Sequence, residues 1–408
     1  MTTRAKPSVD RSSMRSHNRS LVLRLVFDEH SISAAELARR TGMSRSTISG
    51  IVQELEQVGL IATVGPRPAH TGRRAVPLEL APEAFAALGV ELGARHVAVL
   101  LSDLRGRTLA FAEDVHPVRS DPSGALALVD RSIEAVLAEA RVPRRRLLGL
   151  GVAVPSPLQP DRPGRLLPLI FPAWTEVNLD EELRRKHKLP VVIDNDANLG
   201  ALAERFWGAG GSHLDYVKVG AGVGCGFIID GRLHRGASGT AGEIGHTPID
   251  PTGPACMCGN RGCVTMYVGA EELLARLPAS GGARGRGAEP RSLAALIARA
   301  RAGDAAAIAL LAEAGTHLGI VIGGLINLND PGVVVLGGEL SAAGELVLEP
   351  LRREVQRRVL PSTFASTRIV ATQLGRRGLA LGAATLVLRQ ALDQDALFAA
   401  AERASTAG

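Results

Sequence analysis

Residues 242–263 read Gly-Glu-Ile-Gly-His-Thr-Pro-Ile-Asp-Pro-Thr-Gly-Pro-Ala-Cys-Met-Cys-Gly-Asn-Arg-Gly-Cys. Three of the chain's four cysteines, Cys256, Cys258 and Cys263, fall within eight residues around Gly259 and Gly262, and His246 precedes the first of them by ten. Three thiolates and one imidazole form the Cys3His donor set of a tetrahedral structural zinc site; four protein ligands leave no open position for water, which disfavours a catalytic zinc. Free thiols in a glycine-rich loop are the alternative. Disulfides are not expected in a cytoplasmic chain. Cys225 stands apart in an apolar strand context and reads as a buried packing residue.

Working outward, Gly220-Ala-Gly-Val-Gly-Cys-Gly226 lies between two strand-like runs. Glycines at that density let backbone N–H groups approach a phosphate, and they fit a tight β-hairpin equally well. Upstream, Asp194-Asn195-Asp196-Ala197-Asn198 sits where a strand enters a helix. A carboxylate beside an amide there can hold vicinal sugar hydroxyls, with the carboxylate as a potential general base; Asx capping of the helix is the competing explanation. Around these motifs, strands at Leu88–Leu92, Val97–Leu101, Thr108–Val115 and Leu147–Val154, with a helix over Ala125–Ala140, predict an α/β body opening with an antiparallel meander. Val191 to Asp196 is taken to open a second region, followed by long Ala-rich helices between Ser292 and Leu328, and residues 280–289 (SGGARGRGAE) as a flexible insertion. No repeat of 20 to 50 residues is evident.

Charge separates the first fifth of the chain from this body. The 408 residues carry +6 overall. Residues 1–80 hold twelve Arg or Lys against seven acids, which leaves the other 328 nearly neutral. With 46% hydrophobic and 22% charged residues the chain is too apolar for disorder. It has no uninterrupted apolar run of membrane-spanning length and no signal-peptide pattern, so the expected location is the cytoplasm, away from any membrane.

A basic end on a neutral body suggests a nucleic-acid-binding module. Residues 1–16 are expected to be a flexible basic arm. Leu21, Val22, Leu25 and Val26 then recur at helical spacing, and Ser33-Ala-Ala-Glu36 is a capping-box pattern. Thr41-Gly42-Met43 makes a tight break before a third helix, capped by Ser44 and facing inward through Ile48, Ile51, Val52, Leu55 and Val58. Two helices about such a turn are a helix-turn-helix, whose second helix enters the major groove. Ser44, Arg45, Ser46, Thr47 and Ser49 are the candidate DNA contacts on that helix; Arg67, Arg73 and Arg74 occupy the tip of a two-stranded wing. A three-helix protein-interaction module is the alternative.

Taken together, GVAVPSP (151–157), DNDANLGALAE (194–204), VGAGVGCG (219–226), RGASGTAGEIGH (235–246), CMCGNRGC (256–263) and NLNDPGVVVLGGEL (327–340) resemble the ROK family of repressors, open reading frames and sugar kinases, its repressor branch in particular, from about His17 to Ala391. The resemblance implies an α/β chain in which an N-terminal winged helix-turn-helix precedes a two-lobed actin-like ATPase (sugar kinase) fold. It implies domains at 17–82 (winged helix-turn-helix), 83–192 (first lobe, rejoined by a final helix near 378–391) and 193–377 (second lobe with the zinc loop), then a C-terminal tail at 392–408. It also implies that Asn195, Asp196, Glu243 and His246 hold a sugar or sugar derivative, with Asp196 at the kinases' catalytic base, and that His246, Cys256, Cys258 and Cys263 hold a structural Zn2+.

The departures bear on function. Kinases of this family open with Asp-x-Gly-Gly-Thr, and here Glu91-Leu92-Gly93-Ala94-Arg95 stands in its place, with Ala221 where Thr is usual in the second phosphate loop. Phosphoryl transfer depends on positioning and electrostatics, so the kinase site reads as vestigial, with no catalytic residue. Val264-Thr265 replaces an x-Glu sugar ligand, Ser156 a Gly, and Ile170 an Asn. These changes leave a modified or phosphorylated sugar, or no effector, as options. The expected function is a transcriptional regulator, a repressor acting as a homodimer or dimer of dimers on a double-stranded DNA operator. The alternatives are an ATP-dependent sugar kinase with an appended DNA-binding domain, and a constitutive regulator without an effector.

Overall fold

The computed structural model describes residues 11–64, 76–158, 162–278, 292–393 and 396–406. The first ten residues of the expected arm, the wing-tip arginines Arg67, Arg73 and Arg74, and the 280–289 insertion lie outside the described residues.

The N-terminal unit runs α1 (Arg11–Glu29), β1 (Ile32–Ser33), α2 (Ala34–Thr41), α3 (Arg45–Gln57), β2 (Ile61–Thr63) and β3 (Pro77–Leu80). Its strands form one antiparallel sheet in the order β1-β3-β2. Ser33 Oγ accepts the Glu36 N–H at 3.2 Å, but the Glu36 carboxylate pairs with Arg39, so the capping box is seen from one side. Gly42 ends α2 at φ 72°, a left-handed turn that glycine adopts without steric cost. Leu37, Ile48, Ile51 and Leu55 are buried on the inner face, each fully buried aliphatic side chain contributing about 1.5–3 kcal/mol.

One expectation fails here. Residues 11–16 are not part of an arm: α1 starts at Arg11, about a turn and a half before His17. Apolar spacing gave no sign of that turn because charge ties it down, Arg15 and Arg19 both reaching Glu54 on α3.

The body begins with β4 (Ala86–Leu92), β5 (His96–Asp103), β6 (Thr108–Val115), α4 (Pro122–Ala140), β7 (Leu147–Val154), α5 (Leu179–His187) and β8 (Val191–Asn195). These strands form a sheet ordered β6-β5-β4-β7-β8, three antiparallel and then two parallel. The second lobe follows with α6 (Asp196–Trp207), β9 (Leu214–Val219), β10 (Val223–Ile229), β11 (Arg232–His234), α7 (Thr265–Val268), α8 (Ala270–Arg276), α9 (Leu293–Arg301), α10 (Ala305–Asn329), β12 (Val333–Gly337), α11 (Glu345–Gln356), α12 (Pro361–Ser366) and β13 (Arg368–Ala371). Its sheet, β11-β10-β9-β12-β13, repeats the order and strand senses of the first. The architecture is therefore duplicated although the sequence shows no repeat. α10 is long and apolar enough to cross a membrane, yet half of that stretch is buried in the protein, where it packs along α11.

α13 (Gly378–Asp393) returns to the first sheet, lying against β4 and β7 and beside α6, which covers β9 and β10. These two helices fill the space between the sheets. The β9–β10 turn is a hairpin, and Gly226 within β10 serves packing: a Cβ there would lie 2.2 Å from the carbonyl oxygen of Ala197 on α6.

Two further expectations are corrected. The Val191 run closes the first sheet, pairing in parallel with β7 through Asn195, and does not open the second region. The last residues are not a bare tail, since α14 (Ala396–Thr406) buries Leu397, Phe398 and Ala401. The Phe398 ring carries the Arg19 guanidinium of α1 at 3.8 Å.

Candidate functional site

Four ligand atoms from His246, Cys256, Cys258 and Cys263 lie within 4.8 Å of one another. Zn–S bonds of about 2.3 Å at tetrahedral angles require ligand separations near ~3.7 Å. Cys258 Sγ–Cys263 Sγ is 3.6 Å and Cys256 Sγ–His246 Nδ1 is 3.5 Å, so the residues fit a tetrahedral metal. The loop is folded tightly enough to demand glycine at its end, a Cβ on Gly262 (φ 64°) falling 1.6 Å from the Asp250 carbonyl oxygen. Cys225 is buried in the second lobe's core, apart from the cluster.

β8 delivers Asn195 and α6 begins at Asp196. Asn195 Oδ1 accepts the N–H groups of Ala197 (2.9 Å) and Asn198 (3.3 Å), and its amide faces the Ser156 carbonyl at 3.4 Å. Asx capping is thus present at Asn195. Behind it, Asp194 accepts the Asn198 amide at 3.0 Å and two bonds from Arg235 at 2.6 and 2.8 Å, which tie the 235–246 loop to the first sheet's edge.

Asp196 is buried and forms an ion pair with Lys218 on β9, Nζ to Oδ2 at 2.5 Å. Burial raises the Asp196 carboxyl above its usual range against the opposing pull of Lys218. Burial acts to lower the Lys218 ammonium but is outweighed by Asp196, which helps to hold it above its usual value. Glu243 is raised by burial and by Asp196. Asn195, Asp196 and Glu243 therefore share one region at the junction of the lobes, and His246 follows Glu243 on the same 3-10 turn, Ile244–His246.

The Glu91–Arg95 segment is occupied by the chain's own side chains. The His96 ring covers Gly93, where a Cβ would fall 2.3 Å from it, and its Nε2 meets Glu91 Oε1 at 3.0 Å. Burial works to lower His96, but Glu91 and other carboxylates carry it above its usual value. Arg95 reaches Glu271 of the second lobe at 2.8 Å, and Arg376 pairs with Glu113 of the first. In the glycine turn the Gly220 N–H is taken by the Gly222 carbonyl at 3.0 Å.

Ser156 Oγ accepts the Leu167 N–H at 3.1 Å, Ile170 offers its carbonyl to Arg119 at 2.8 Å, and Thr265 opens α7 behind the last zinc-loop cysteine. Ser44 caps α3 by accepting the Thr47 N–H at 3.0 Å, and Ser44, Arg45, Ser46, Thr47 and Ser49 are all exposed on one end of that helix.

Sequence reasoning missed Lys218, although it is one of the chain's few lysines and stands in the apolar strand Leu214–Val219. It also missed an aromatic junction. Phe27 of α1 packs on Phe206 (5.1 Å) and Trp207 (5.6 Å, edge-on) at the end of α6, and His30 Nε2 meets the Phe206 carbonyl at 3.1 Å. With two Trp, two Tyr and eight Phe in the chain, three aromatics clustered at one point were a usable signal.

A helix-turn-helix joined to a two-lobed fold with an actin-like strand order and a His/Cys3 loop defines the class: a DNA-binding module on a sugar-kinase scaffold. Residues 87–390 match the ROK family and residues 17–74 the MarR family. The chain belongs to the ROK family. It is 30% identical to the xylose repressor of Bacillus subtilis strain 168, over 94% of this chain and 98% of that one. Its structure resembles that of a ROK family transcriptional regulator described as a homologue of the Escherichia coli MLC protein (25% identity, TM-score 0.75, 95% and 99% of the two chains). It also resembles a ROK family glucokinase from Streptomyces griseus in complex with glucose and AMPPNP (26% identity, TM-score 0.65, 74% and 98%).

Proposed function

We propose that this chain is a cytoplasmic transcriptional repressor that binds a double-stranded operator through α3 and the wing, as a homodimer or dimer of dimers. A sugar or sugar derivative held by Asn195, Asp196, Glu243 and His246 releases it. Zinc on His246, Cys256, Cys258 and Cys263 braces the loop that carries Glu243.

The observation that carries this reading is α6. Asp196 lies at its first turn, and its last two residues, Phe206 and Trp207, rest on Phe27 of the DNA-binding unit. A single apolar core continues from Val22, Phe27 and Leu37 through Phe206 and Leu199 to Ala384 between the sheets. A ligand that tilts α6 at one end must therefore move the DNA-binding unit at the other, or pay to break that packing. In a dimer the same tilt changes the spacing of two α3 helices, and half-site spacing sets operator affinity.

ATP-dependent phosphorylation is the weaker reading. A kinase needs Asp196 free and a phosphate loop open; here Lys218 holds the first and His96 covers Gly93.

The test is a titration of operator DNA, selected from random duplexes, with and without candidate sugars. By linkage the sugar should weaken operator binding by the same factor as operator weakens sugar binding. A sugar that binds equally well with and without operator would contradict the reading, and sugar-dependent ADP release would favour the kinase.

A further inference from the structure

We propose that Lys218 is a positioning residue that locks Asp196 as a permanent hydrogen-bond acceptor, so that the site takes a free hydroxyl and rejects a phosphate ester in its place. This rests on the effector reading above and narrows it to an uncharged polyol.

Among the described residues Lys218 is the only cation paired with Asp196, through Oδ2, while the backbone N–H of Ala197 also favours its ionised form. Burial favours the protonated form of Asp196 and the Lys218 ammonium opposes it, so the cation is what keeps the carboxylate available as an acceptor. Lys218 also sits at the foot of the glycine turn: a Cβ on Gly220 would lie 4.0 Å from Lys218 Nζ and 4.0 Å from Glu339 Oε1.

The charge surrounding this pair decides the ligand class. The groups that act on Asp196 or Lys218 are Glu91 from β4 and Glu339 beyond β12; Asp196 in turn acts on Glu243 ahead of the zinc loop and on the Tyr216 phenol from β9. His96 and Glu113 pair with Glu91 and Arg376. Five carboxylates thus face three cations. A phosphate ester would bring up to two further negative charges into a group that, among the described residues, already holds more carboxylates than cations, whereas a hydroxyl adds none.

The lock has a signature that needs no ligand. In Lys218→Met, Asp196 is left buried without its cation, which costs most when it is ionised and little when it is protonated. The melting temperature should therefore fall further at pH 8 than at pH 5.5, and Lys218→Met/Asp196→Asn should recover most of the loss at pH 8. The probes for ligand class are D-xylose, D-glucose, D-mannose, glucose 6-phosphate and mannose 6-phosphate, measured calorimetrically on the full chain. Binding should be confined to free sugars, and Lys218→Met should weaken it about tenfold at pH 5.5 with a smaller loss at pH 8. A melting loss equal at both pH values and not relieved by the double variant overturns the lock, and tighter binding of a phosphate ester than of its free sugar overturns the ligand class. If the melting signature is present but no probe binds, the polyol reading fails while the lock stands; if sugars bind and the signature is absent, the lock fails while the reading stands.

Discussion

Removing the metal from the His/Cys3 loop should lower the melting temperature of the second lobe by roughly 6–12 °C. The figure comes from the loop itself. His246 and Cys263 are the outermost ligands and close 18 residues of chain. Treated as a cross-link, closure of a loop that size restricts the unfolded chain by ~3 kcal/mol. For a unit of about 180 residues, each kcal/mol shifts the midpoint by roughly 2–4 °C. Zinc-ligand bonding adds to this, because small zinc-folded peptides gain about 10–16 kcal/mol on binding, so the cross-link figure is a lower bound. The assay is calorimetry on the purified chain before and after chelation, with zinc content measured on the same samples, and on Cys258→Ser. Metal-free protein, or Cys258→Ser lacking zinc, that melts within about 1 °C of the loaded wild type would refute the structural role.

Three further outcomes are expected. Arg45→Ala should weaken binding to a selected operator by about 1–3 kcal/mol more than binding to random duplex; equal losses by fluorescence anisotropy would make Arg45 a phosphate contact. Phe27→Leu keeps apolar volume but loses two ring contacts each worth about 0.5–1.5 kcal/mol, so the factor by which a bound sugar changes operator affinity should shrink while both separate affinities stay near wild type. Burial on β9 holds the Asp215 carboxyl up, to about 7, with only the Asn329 amide at 3.4 Å opposing. A carboxyl raised on folding contributes stability that is present below the unfolded value near 4 and is lost as pH rises through about 7. Asp215→Asn should therefore gain stability relative to wild type at pH 8, by roughly 2–4 kcal/mol, and little at pH 4, as read by urea unfolding.

What could be read in the sequence was local chemistry. The metal cluster, the Ser44 cap, the inner face of α3 and the strands of the meander each follow from spacing within about twenty residues. The remainder depends on which distant segments meet. Val191–Asn195 has the same composition whether it ends one sheet or begins another, and only its pairing with β7 decides the matter. The glycines of 220–226 fitted a phosphate cradle and a tight hairpin equally; the fold has the hairpin, in which Gly226 makes room for α6 and the Gly220 N–H closes its own turn. Of the two readings of 194–198, the Asx cap is the one seen, at Asn195. The first turn of α1 was missed because an Arg–Glu contact anchors it and leaves no apolar period; at 396–406 the apolar spacing of Leu397, Phe398 and Ala401 was there to read, and the Arg19 guanidinium over the Phe398 ring was not.

The seat of α1 has a consequence for how the protein is made. α1 rests on α13 and α14, with Arg24 meeting Asp393 at 3.1 Å and Asp28 meeting Arg389 at 3.3 Å. α1 is thus completed by helices that lie about 350 residues further along the chain. Domains fold as they emerge, at about 5–20 residues per second, so the DNA-binding unit spends some tens of seconds tethered to a chain that cannot yet restrain it. A message cut short before Gly378 would leave it in that state permanently. Such a fragment would carry α3 without the packing that joins α1 to α6 and α13.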